Sequence, residues 1–291
     1  MTQPPFAFET VDEALFWAAD ECIKNGEVVA PRGLATRELL GVNLCLTNPR
    51  ARMPTFPRRR WSLPLAIGEL CWHFRASDDV SALTYYAPRW GQYSDDGYHV
   101  PGSCYGRIAL TSDHSSSQWY LAKELLKTDP STRRAILIFD TPRNSDMWTR
   151  DKSCLTSMQF LSRSGRLDAI VTMRSNDVYI GLPYDIFLFT MMQEIMAIET
   201  GLNLGKYIHF VSSFHIYEGD VSKALNAYSE PGHLESPMPP MQNLEELEIL
   251  IDAEERIRAG KLCPLPKLGS YWNGLLQALV DFREQRELSI A

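Results

Sequence analysis

The sequence predicts an α+β fold in a single domain, with its strands clustered near the middle of the chain. Apolar residues recur at helical spacing in the first part of the chain. They give way to segments rich in Ile, Val, Phe and Tyr, and helical spacing returns towards the end. No Ser/Gly-rich linker, charge block or internal repeat divides the 291 residues, so we expect residues 1–291 to form one domain.

Cap residues and chain breakers set the expected bounds of these elements. The first helix should begin after Thr10, a good N-cap residue, and end at Asn25-Gly26. Ser164-Gly165 is typical of a hairpin turn. The further predicted helices are 62–74, 115–130, 183–201, 243–259 and 270–286, and the predicted strands lie within 28–49, 133–140, 157–179 and 206–217.

Composition argues against several classes of protein. The net charge of -7 gives no indication of a polymeric nucleic acid partner, and no apolar run reaches the roughly 18 residues of a membrane span. The first residues lack the pattern of a secretory signal, which predicts a cytoplasmic protein without a membrane partner. The cysteines are scattered without a C-x-x-C pair, so we expect reduced thiols and neither a disulfide framework nor a structural zinc site.

Cys154, in the stretch DKSCLTSMQF, has two readings. A Cys among Leu, Met and Phe is commonly an apolar core residue. Arg133, Arg134 and Arg174 are near it, however, and a cationic environment lowers the pKa of a thiol and favours the nucleophilic thiolate. The same arginines could form surface salt bridges, so the residue pattern leaves both readings open.

Polar residues crowd the end of an apolar strand in the stretch MRSNDVYIGLPYDI. Arg174 and Ser175 offer guanidinium and hydroxyl donors that suit a phosphate. Asp177 and Asp185 supply carboxylates in a partly apolar setting. Asp185 could instead be a helix N-cap, a frequent use of Asp.

Two further segments carry candidate functional groups. His215 and Tyr217 are two residues apart, so on a strand they point to one face. Glu69 lies on a predicted helix whose other residues are mostly apolar, and a buried Glu has either an ion-pair partner or a task. A structural role remains open for all three.

Taken together, seven ordered segments across residues 10–220 resemble the thymidylate synthase family, which includes the pyrimidine nucleotide hydroxymethylases. Each segment alone is weak, but their order and spacing make a chance match improbable. In chain order they are PRG, IGELCWHF, RWGQYSDDGYHVPGSCYG, STRRAILIFD, SCLTSMQF, MRSNDVYIGLPYDI and SSFHIYEGD.

This resemblance implies a three-layer fold around a mixed β-sheet, a homodimer, and 5,10-methylenetetrahydrofolate as the one-carbon donor. Cys154 would add to C6 of a pyrimidine ring and so make C5 a carbon nucleophile, while Glu69 would manage proton transfers through water. The implied phosphate-binding residues are Arg32, Arg133, Arg134, Arg174 and Ser175, of which Arg133 and Arg134 would act across the dimer interface. The implied sugar-binding residues are His215 and Tyr217, and the implied folate-binding residues are Asp177, Trp90, Arg59 and Tyr105.

The base-reading position departs from the thymidylate synthase pattern, which has Asn where this chain has Asp185. An amide matches the N3-H donor and O4 acceptor of uracil, whereas a carboxyl group can accept from the N4 amino group of cytosine. Asp185 therefore predicts a cytidylate substrate, as in family hydroxymethylases that act on cytosine. Asn176 replaces a small residue in the same segment and is expected to contact the base or the sugar.

Other departures predict a different product. Ser153 stands where the family usually has Pro, Leu155 where it has His, and Ser212-Ser213 where it has Gly-Asp, while the final ELSIA only loosely resembles the family's apolar tail. We therefore expect water rather than hydride to complete the reaction, which makes the chain a CMP or dCMP 5-hydroxymethylase. The alternatives are a thymidylate synthase acting on dUMP and a catalytically silent nucleotide- or RNA-binding relative. The choice between ribose and deoxyribose, and the protonation state of Asp185, stay open at the level of sequence.

Overall fold

The computed structural model describes residues 6–111, 116–140, 148–232, 237–261 and 264–290. The chain divides into two compact units. The first, here called the sheet unit, comprises residues 1–61, 119–140 and 154–238, and the second, the helical unit, comprises residues 62–118, 141–153 and 239–291. A single domain over residues 1–291 stays a prediction. Ser115, at the start of the predicted helix 115–130, and Cys263, one of the thiols expected to be reduced, lie outside the described residues.

The sheet unit contains a mixed β-sheet with the strand order β1-β3-β7-β6-β5-β4, and β2 pairs with β3 outside this path. Strands β6 and β7 run parallel, while β3 and β7 as well as β5 and β6 run antiparallel. The predicted α+β class with a mixed sheet is thereby confirmed. The strands are β1 (Ala7–Phe8), β2 (Glu27–Val29), β3 (Thr36–Leu46), β4 (Ile136–Ile138), β5 (Leu155–Arg163), β6 (Arg166–Asp177) and β7 (Asn203–Tyr217).

The predicted helices are confirmed, with short additions in the loop-rich part of the chain and after β7. The helices are α1 (Val11–Asn25), α2 (Leu63–Phe74), α3 (Ser81–Thr84), α4 (Tyr105–Leu110), α5 (Gln118–Thr128), α6 (Leu182–Thr200), α7 (Glu218–Ala227), α8 (Glu245–Arg258) and α9 (Ser270–Ile290). Within the described ranges, none of them combines the length and the apolar composition that a membrane span needs.

Local chemistry explains where these elements begin and turn. Thr10 caps α1, and the Glu13 side chain accepts from the Thr10 N–H in return, so two otherwise unpaired donors of the first turn are satisfied. The predicted hairpin turn between β5 and β6 is confirmed. Its two residues, Ser164 and Gly165, have φ angles of 52° and 72°, as a tight hairpin turn requires.

Helix α6 is mostly apolar, and its residues from Ile186 to Ala197 are all buried. One charged group on it is buried as well. Glu194 pairs with the fully buried Arg52, and its other oxygen accepts from Arg50 Nε at 2.7 Å. Within the described part of the chain, Nε and Nη1 of Arg52 have no hydrogen-bond partner. The Arg52 charge is therefore balanced chiefly by Glu194.

Replacing Glu194 by Gln should lower the free energy of unfolding by about 3–5 kcal/mol, because the buried guanidinium of Arg52 would lose its counter-charge. Urea denaturation followed by circular dichroism measures this change. Glu218→Gln is the matched control. Its ion pair with Arg37 is about one-third exposed on each side, so a loss below about 1 kcal/mol is expected. Equal losses in the two variants would contradict this account of α6.

The helical unit has its own apolar core. Trp72 of α2 lies at its centre and donates from Nε1 to the Asp79 carbonyl at 2.9 Å, and Trp90 packs against the same cluster. Glu254 of α8 accepts from Arg75, Arg258 and Tyr86, which joins α2 to α8. Helix α2, which carries Glu69, is therefore held from two sides.

Candidate active site

Cys154 lies immediately before β5 and is partly exposed. Arg174, on the neighbouring strand β6, places its Nη2 3.6 Å from the Cys154 sulfur, and its backbone N–H donates to the Cys154 carbonyl at 2.9 Å. A guanidinium at this distance favours the thiolate. The predicted proximity of Arg174 is confirmed.

The other described cysteines have a different environment. Cys22, Cys45, Cys71 and Cys104 are buried, and burial raises the pKa of each thiol, to about 12 in Cys22 and in Cys104. Their thiols therefore stay protonated and unreactive near neutral pH. Among the described cysteines, only Cys154 combines partial exposure with a nearby cation.

The remaining predicted phosphate-binding residues lie on different elements of the sheet unit. Arg133 and Arg134 are exposed beside β4, where the Arg133 carbonyl accepts from Gln159 Nε2 at 2.9 Å. Arg32 is also exposed, in a 3-10 turn with a φ of 54°, which is unusual for a residue with a side chain. Ser175 lies on β6, next to Arg174.

His215 and Tyr217 are neighbours near the end of β7, as predicted. Their rings are 5.2 Å apart at an angle of 90°. His215 pairs in register with Asp177 of β6. Asp177 Oδ1 accepts from the backbone N–H groups of Tyr179 and Ile180 at 2.9 and 3.2 Å, while burial raises the pKa of this carboxyl group. Asp177 thus also fixes the turn that leads into α6.

Asp185 lies in the first turn of α6 and is partly buried. The N-cap alternative is wrong, because α6 begins at Leu182 and Gly181 is the N-cap residue; Pro183 is well suited to the first turn of a helix. Asp185 Oδ2 instead accepts from Asn176 Nδ2 at 2.7 Å. Burial raises the pKa of Asp185 to about 7, against the lowering effect of the Asn176 hydrogen bond.

Hydrogen bonds on both ends of its side-chain amide fix the orientation of Asn176. Its Nδ2 faces Asp185, and its Oδ1 lies 2.9 Å from His209 Nε2. His209 Nδ1 is 2.6 Å from the hydroxyl of Tyr207. His209 and Tyr207 were missed from the sequence. The available signal was a His and a Tyr alternating with apolar residues in KYIHFV, which places both on one face of β7.

In the helical unit, Glu69 of α2 is 8% exposed and accepts from Trp90 Nε1 at 3.2 Å. His73, one turn along the same helix, stacks on Tyr105 with ring centroids 5.3 Å apart, and its Nδ1 accepts from the Gly106 N–H at 3.3 Å. Burial lowers the pKa of His73 to about 3, so the ring is neutral. The candidate folate residues Trp90 and Tyr105 thus contact two residues of one helix.

Arg59 belongs to the sheet unit and contacts the turn before α6. Its Nη2 donates to the Tyr179 carbonyl, its Nε donates to the Tyr228 hydroxyl at 3.1 Å, and its guanidinium lies 5.3 Å from the centre of the Tyr179 ring. These contacts hold the cation in place while leaving it partly exposed.

The residues that depart from the thymidylate synthase pattern are well ordered by the fold. Ser153 and Leu155, on either side of Cys154, are buried. Ser213 of β7 donates to Glu38 of β3, a contact that the sequence did not predict. Ser153 and Leu155 therefore change groups inside the fold, whereas Ser212 is exposed and Ser213 is partly buried.

Comparisons with known proteins identify the family of the chain. The thymidylate synthase family model matches residues 18–249. A deoxyuridylate hydroxymethyltransferase of Bacillus phage SP01 is 29% identical over 252 residues, which cover 81% of this chain and 64% of that protein. A thymidylate synthase of Bacillus atrophaeus is 27% identical over 195 residues, which cover 64% of this chain and 84% of that protein.

Among solved structures, thermostable thymidylate synthase A from Bacillus subtilis matches with a TM-score of 0.63 and 23% sequence identity. The match covers 77% of this chain and 86% of that one. This likeness confirms the predicted thymidylate-synthase-like fold. With a family match over residues 18–249, the chain belongs to the thymidylate synthase family.

Proposed function

We propose that this protein is a cytidylate 5-hydroxymethylase, which converts CMP or dCMP, with 5,10-methylenetetrahydrofolate and water, to the 5-hydroxymethyl nucleotide and tetrahydrofolate. Family membership supports the general reaction, since thymidylate synthases and their hydroxymethyltransferase relatives use methylenetetrahydrofolate as the one-carbon donor. The choice of base rests on Asp185, which stands where thymidylate synthases have Asn. Its Oδ2 accepts from Asn176 Nδ2, which holds the carboxyl group in place.

A neutral carboxyl group fits the edge of cytosine. It can accept from the N4 amino group with one oxygen and donate to N3 with the other. Because burial raises the pKa of Asp185 to about 7, a large fraction of this group is neutral near neutral pH. Uracil presents the opposite order of donor and acceptor. Each buried group left unpaired costs about 1–3 kcal/mol, which is enough to select the base.

The covalent step is assigned to Cys154. Its thiolate would add to C6 while the C5=C6 π electrons move to C5, and C5 would then take the one-carbon unit as the bonds from that unit to the folate nitrogens break. Loss of the C5 proton, addition of water to the one-carbon unit and breaking of the C6–S bond would then release the hydroxymethyl nucleotide and the Cys154 thiolate. The Arg174 guanidinium, 3.6 Å from the sulfur, supports the thiolate that begins this step. Glu69, buried and fixed by Trp90, would exchange protons through ordered water.

The candidate folate residues suit the chemistry of that group. Methylenetetrahydrofolate supplies a one-carbon unit at the oxidation level of formaldehyde. The Asp177 carboxyl group can accept from a pterin amino group, and the partly exposed Trp90 ring offers aromatic surface. Tyr105 is 7% exposed and stacks on His73, so its part is to support this region. Arg59 can pair with a carboxylate of the glutamate tail. These four residues are proposed to hold the cofactor.

We extend the proposal to a homodimer in which Arg133 and Arg134 of one subunit reach the phosphate in the other. Both arginines are exposed, and so are several large apolar residues on strands of the sheet unit. Leu40 of β3 is 75% exposed, while Ile136 and Ile138 of β4 are each 38% exposed. Strands β3 and β4 are separated by three strands in the sheet, so these side chains do not form one patch, and the homodimer is proposed from family membership. Sedimentation equilibrium would detect the dimer.

The pH dependence of the reaction offers a test of Asp185. Burial raises its pKa from 3.8 to about 7, so the group is neutral below about pH 7 and ionised above it. Since the neutral form donates to N3, kcat/KM for the cytidylate should fall roughly tenfold for each pH unit above this pKa. Steady-state rates across this range measure the fall. Asp185→Asn removes the titrating group, and persistence of the same fall in that variant would contradict the assignment.

A nucleotide panel tests the function as a whole. Purified protein is incubated with methylenetetrahydrofolate and with CMP, dCMP or dUMP, and products are identified by mass. We expect hydroxymethyl cytidylate and no rise in dihydrofolate absorbance. Methylated dUMP as the sole product, with that rise, would make the protein a thymidylate synthase. Hydroxymethyl dUMP is the second candidate outcome, because the 29% identical phage protein is named a deoxyuridylate hydroxymethyltransferase.

A further inference from the structure

We propose that Tyr207, His209 and Asn176 form a hydrogen-bonded relay that fixes which oxygen of Asp185 accepts and which donates, so that these residues determine base specificity. The inference deepens the proposed function and rests on Asp185 as the residue that reads the base. The three relay residues would act through Asp185 and are positioning residues.

The relay is continuous from β7 to α6. The Tyr207 hydroxyl is 2.6 Å from His209 Nδ1, His209 Nε2 is 2.9 Å from Asn176 Oδ1, and Asn176 Nδ2 is 2.7 Å from Asp185 Oδ2. Tyr207, His209 and Asn176 are each less than 5% exposed. Because these side chains are buried, water cannot readily replace a lost partner, and breaking one of these hydrogen bonds costs free energy.

Only one order of donors and acceptors suits this chain of contacts when Asp185 is ionised. The carboxylate can only accept, so Asn176 must donate its N–H to Asp185 and must accept with Oδ1. His209 Nε2 then carries the proton, and Nδ1 accepts from the Tyr207 O–H. The His209 ring can make both bonds because burial lowers its pKa to about 3 and keeps it neutral. Burial also raises the pKa of Tyr207, which therefore keeps its proton.

The order of donors and acceptors in the relay also determines which oxygen of a neutral Asp185 carries the proton. A free carboxyl group can carry its proton on either oxygen, and it could thus match cytosine in one form and uracil in the other. In this protein Oδ2 is already occupied as the acceptor from Asn176, which favours the proton on Oδ1. The relay therefore removes the form with the proton on Oδ2. It leaves a carboxyl group that donates from Oδ1 and accepts with Oδ2.

The backbone leaves space for the contact between Asn176 and Asp185. Gly181, the N-cap residue of α6, faces both side chains. A Cβ atom at this position would lie 3.1 Å from Asn176 Nδ2 and 3.4 Å from Asp185 Oδ2. The charge of Asp177, the next residue on β6, further raises the pKa of Asp185. The relay is thus enclosed by the turn that starts α6.

The experiment measures the ratio of kcat/KM for the cytidylate to kcat/KM for the matching uridylate. Tyr207→Phe removes one oxygen atom, and His209→Phe removes both hydrogen bonds of the ring while keeping an aromatic group next to Phe189. Because Tyr207→Phe removes one hydrogen bond and His209→Phe removes two, we expect the ratio to fall about fivefold in the first variant and about 25-fold in the second. His209→Gln, which keeps a donor for Asn176, should retain more of the discrimination than His209→Phe.

Val211→Ala is the matched control, since Val211 is a buried residue on the same strand with no polar group. It should lower thermal stability and leave the ratio unchanged, which separates loss of the relay from general loosening of the core. An unchanged ratio in Tyr207→Phe and in His209→Phe would overturn the relay. If His209→Phe does not fold, Tyr207→Phe alone decides.

The outcome can be separated from that of the proposed function. If the wild-type protein prefers the uridylate, the proposed substrate is wrong, while a changed ratio in Tyr207→Phe still supports a relay. If Asp185→Asn changes the ratio and Tyr207→Phe does not, the base is read by Asp185 without help from Tyr207, and the relay is wrong.

Discussion

Replacing Cys154 by Ala should lower kcat by roughly 10⁴-fold or more, because a covalent mechanism loses its nucleophile and C5 of the pyrimidine is not activated by another route. The side chain is partly exposed, beside Arg174, and small, so its loss should change the free energy of unfolding little. The effect is therefore expected in kcat and not in the folded fraction.

Intact-mass analysis makes the same test directly. A cytidylate with fluorine at C5 cannot lose a proton there, so the adduct with the enzyme and the folate donor should persist. We expect wild-type protein to gain the mass of the nucleotide and the donor, and Cys154→Ala to gain neither. Cys22→Ala is the control, because its thiol is buried and its pKa is raised to about 12. Adduct formation in Cys154→Ala would mean that another group is the nucleophile.

Replacing Asp185 by Asn should change base preference by about 100-fold or more. The amide would offer a donor to O4 and an acceptor to N3-H of uracil, and it would face cytosine with mismatched groups that cost about 1–3 kcal/mol each. Loss of cytidylate activity and gain of uridylate activity both contribute to the change. Steady-state kinetics with dCMP and dUMP, and with CMP and UMP, measure it.

Asp168→Asn is the matched control for this exchange. Asp168 Oδ1 accepts from the Lys206 N–H at 2.7 Å on the sheet, and an amide oxygen can accept in its place, so base preference should not move. A preference that is unchanged in Asp185→Asn as well would mean that the base is read elsewhere in the protein.

Much of the fold could be predicted from local signals. Thr10 at the start of α1, Ser164-Gly165 between β5 and β6, and Gly201 after α6 each act through their own backbone geometry, which depends little on the rest of the molecule. Helix α7 was missed because it begins directly after Tyr217, where no breaker separates it from β7. Its apolar residues are few.

The candidate site was predictable only in part. Arg174 was expected near Cys154 from the residue pattern, and the structure places its Nη2 3.6 Å from the Cys154 sulfur. Asp185 was open to an N-cap reading, because the start of a helix is uncertain by one or two residues and both Gly181 and Pro183 come just before Asp185. The partners of Asn176 could not be predicted, because they come from β7 and α6 and depend on how these elements pack.

The most direct test of the central claim is one competition experiment in water labelled with ¹⁸O. The protein receives methylenetetrahydrofolate with equal amounts of dCMP, CMP and dUMP, and mass spectrometry identifies each product and its oxygen content. A cytidylate 5-hydroxymethylase should form a hydroxymethyl cytidylate whose new hydroxyl oxygen carries the label. Methylated dUMP without the label, formed together with dihydrofolate, would contradict the claim.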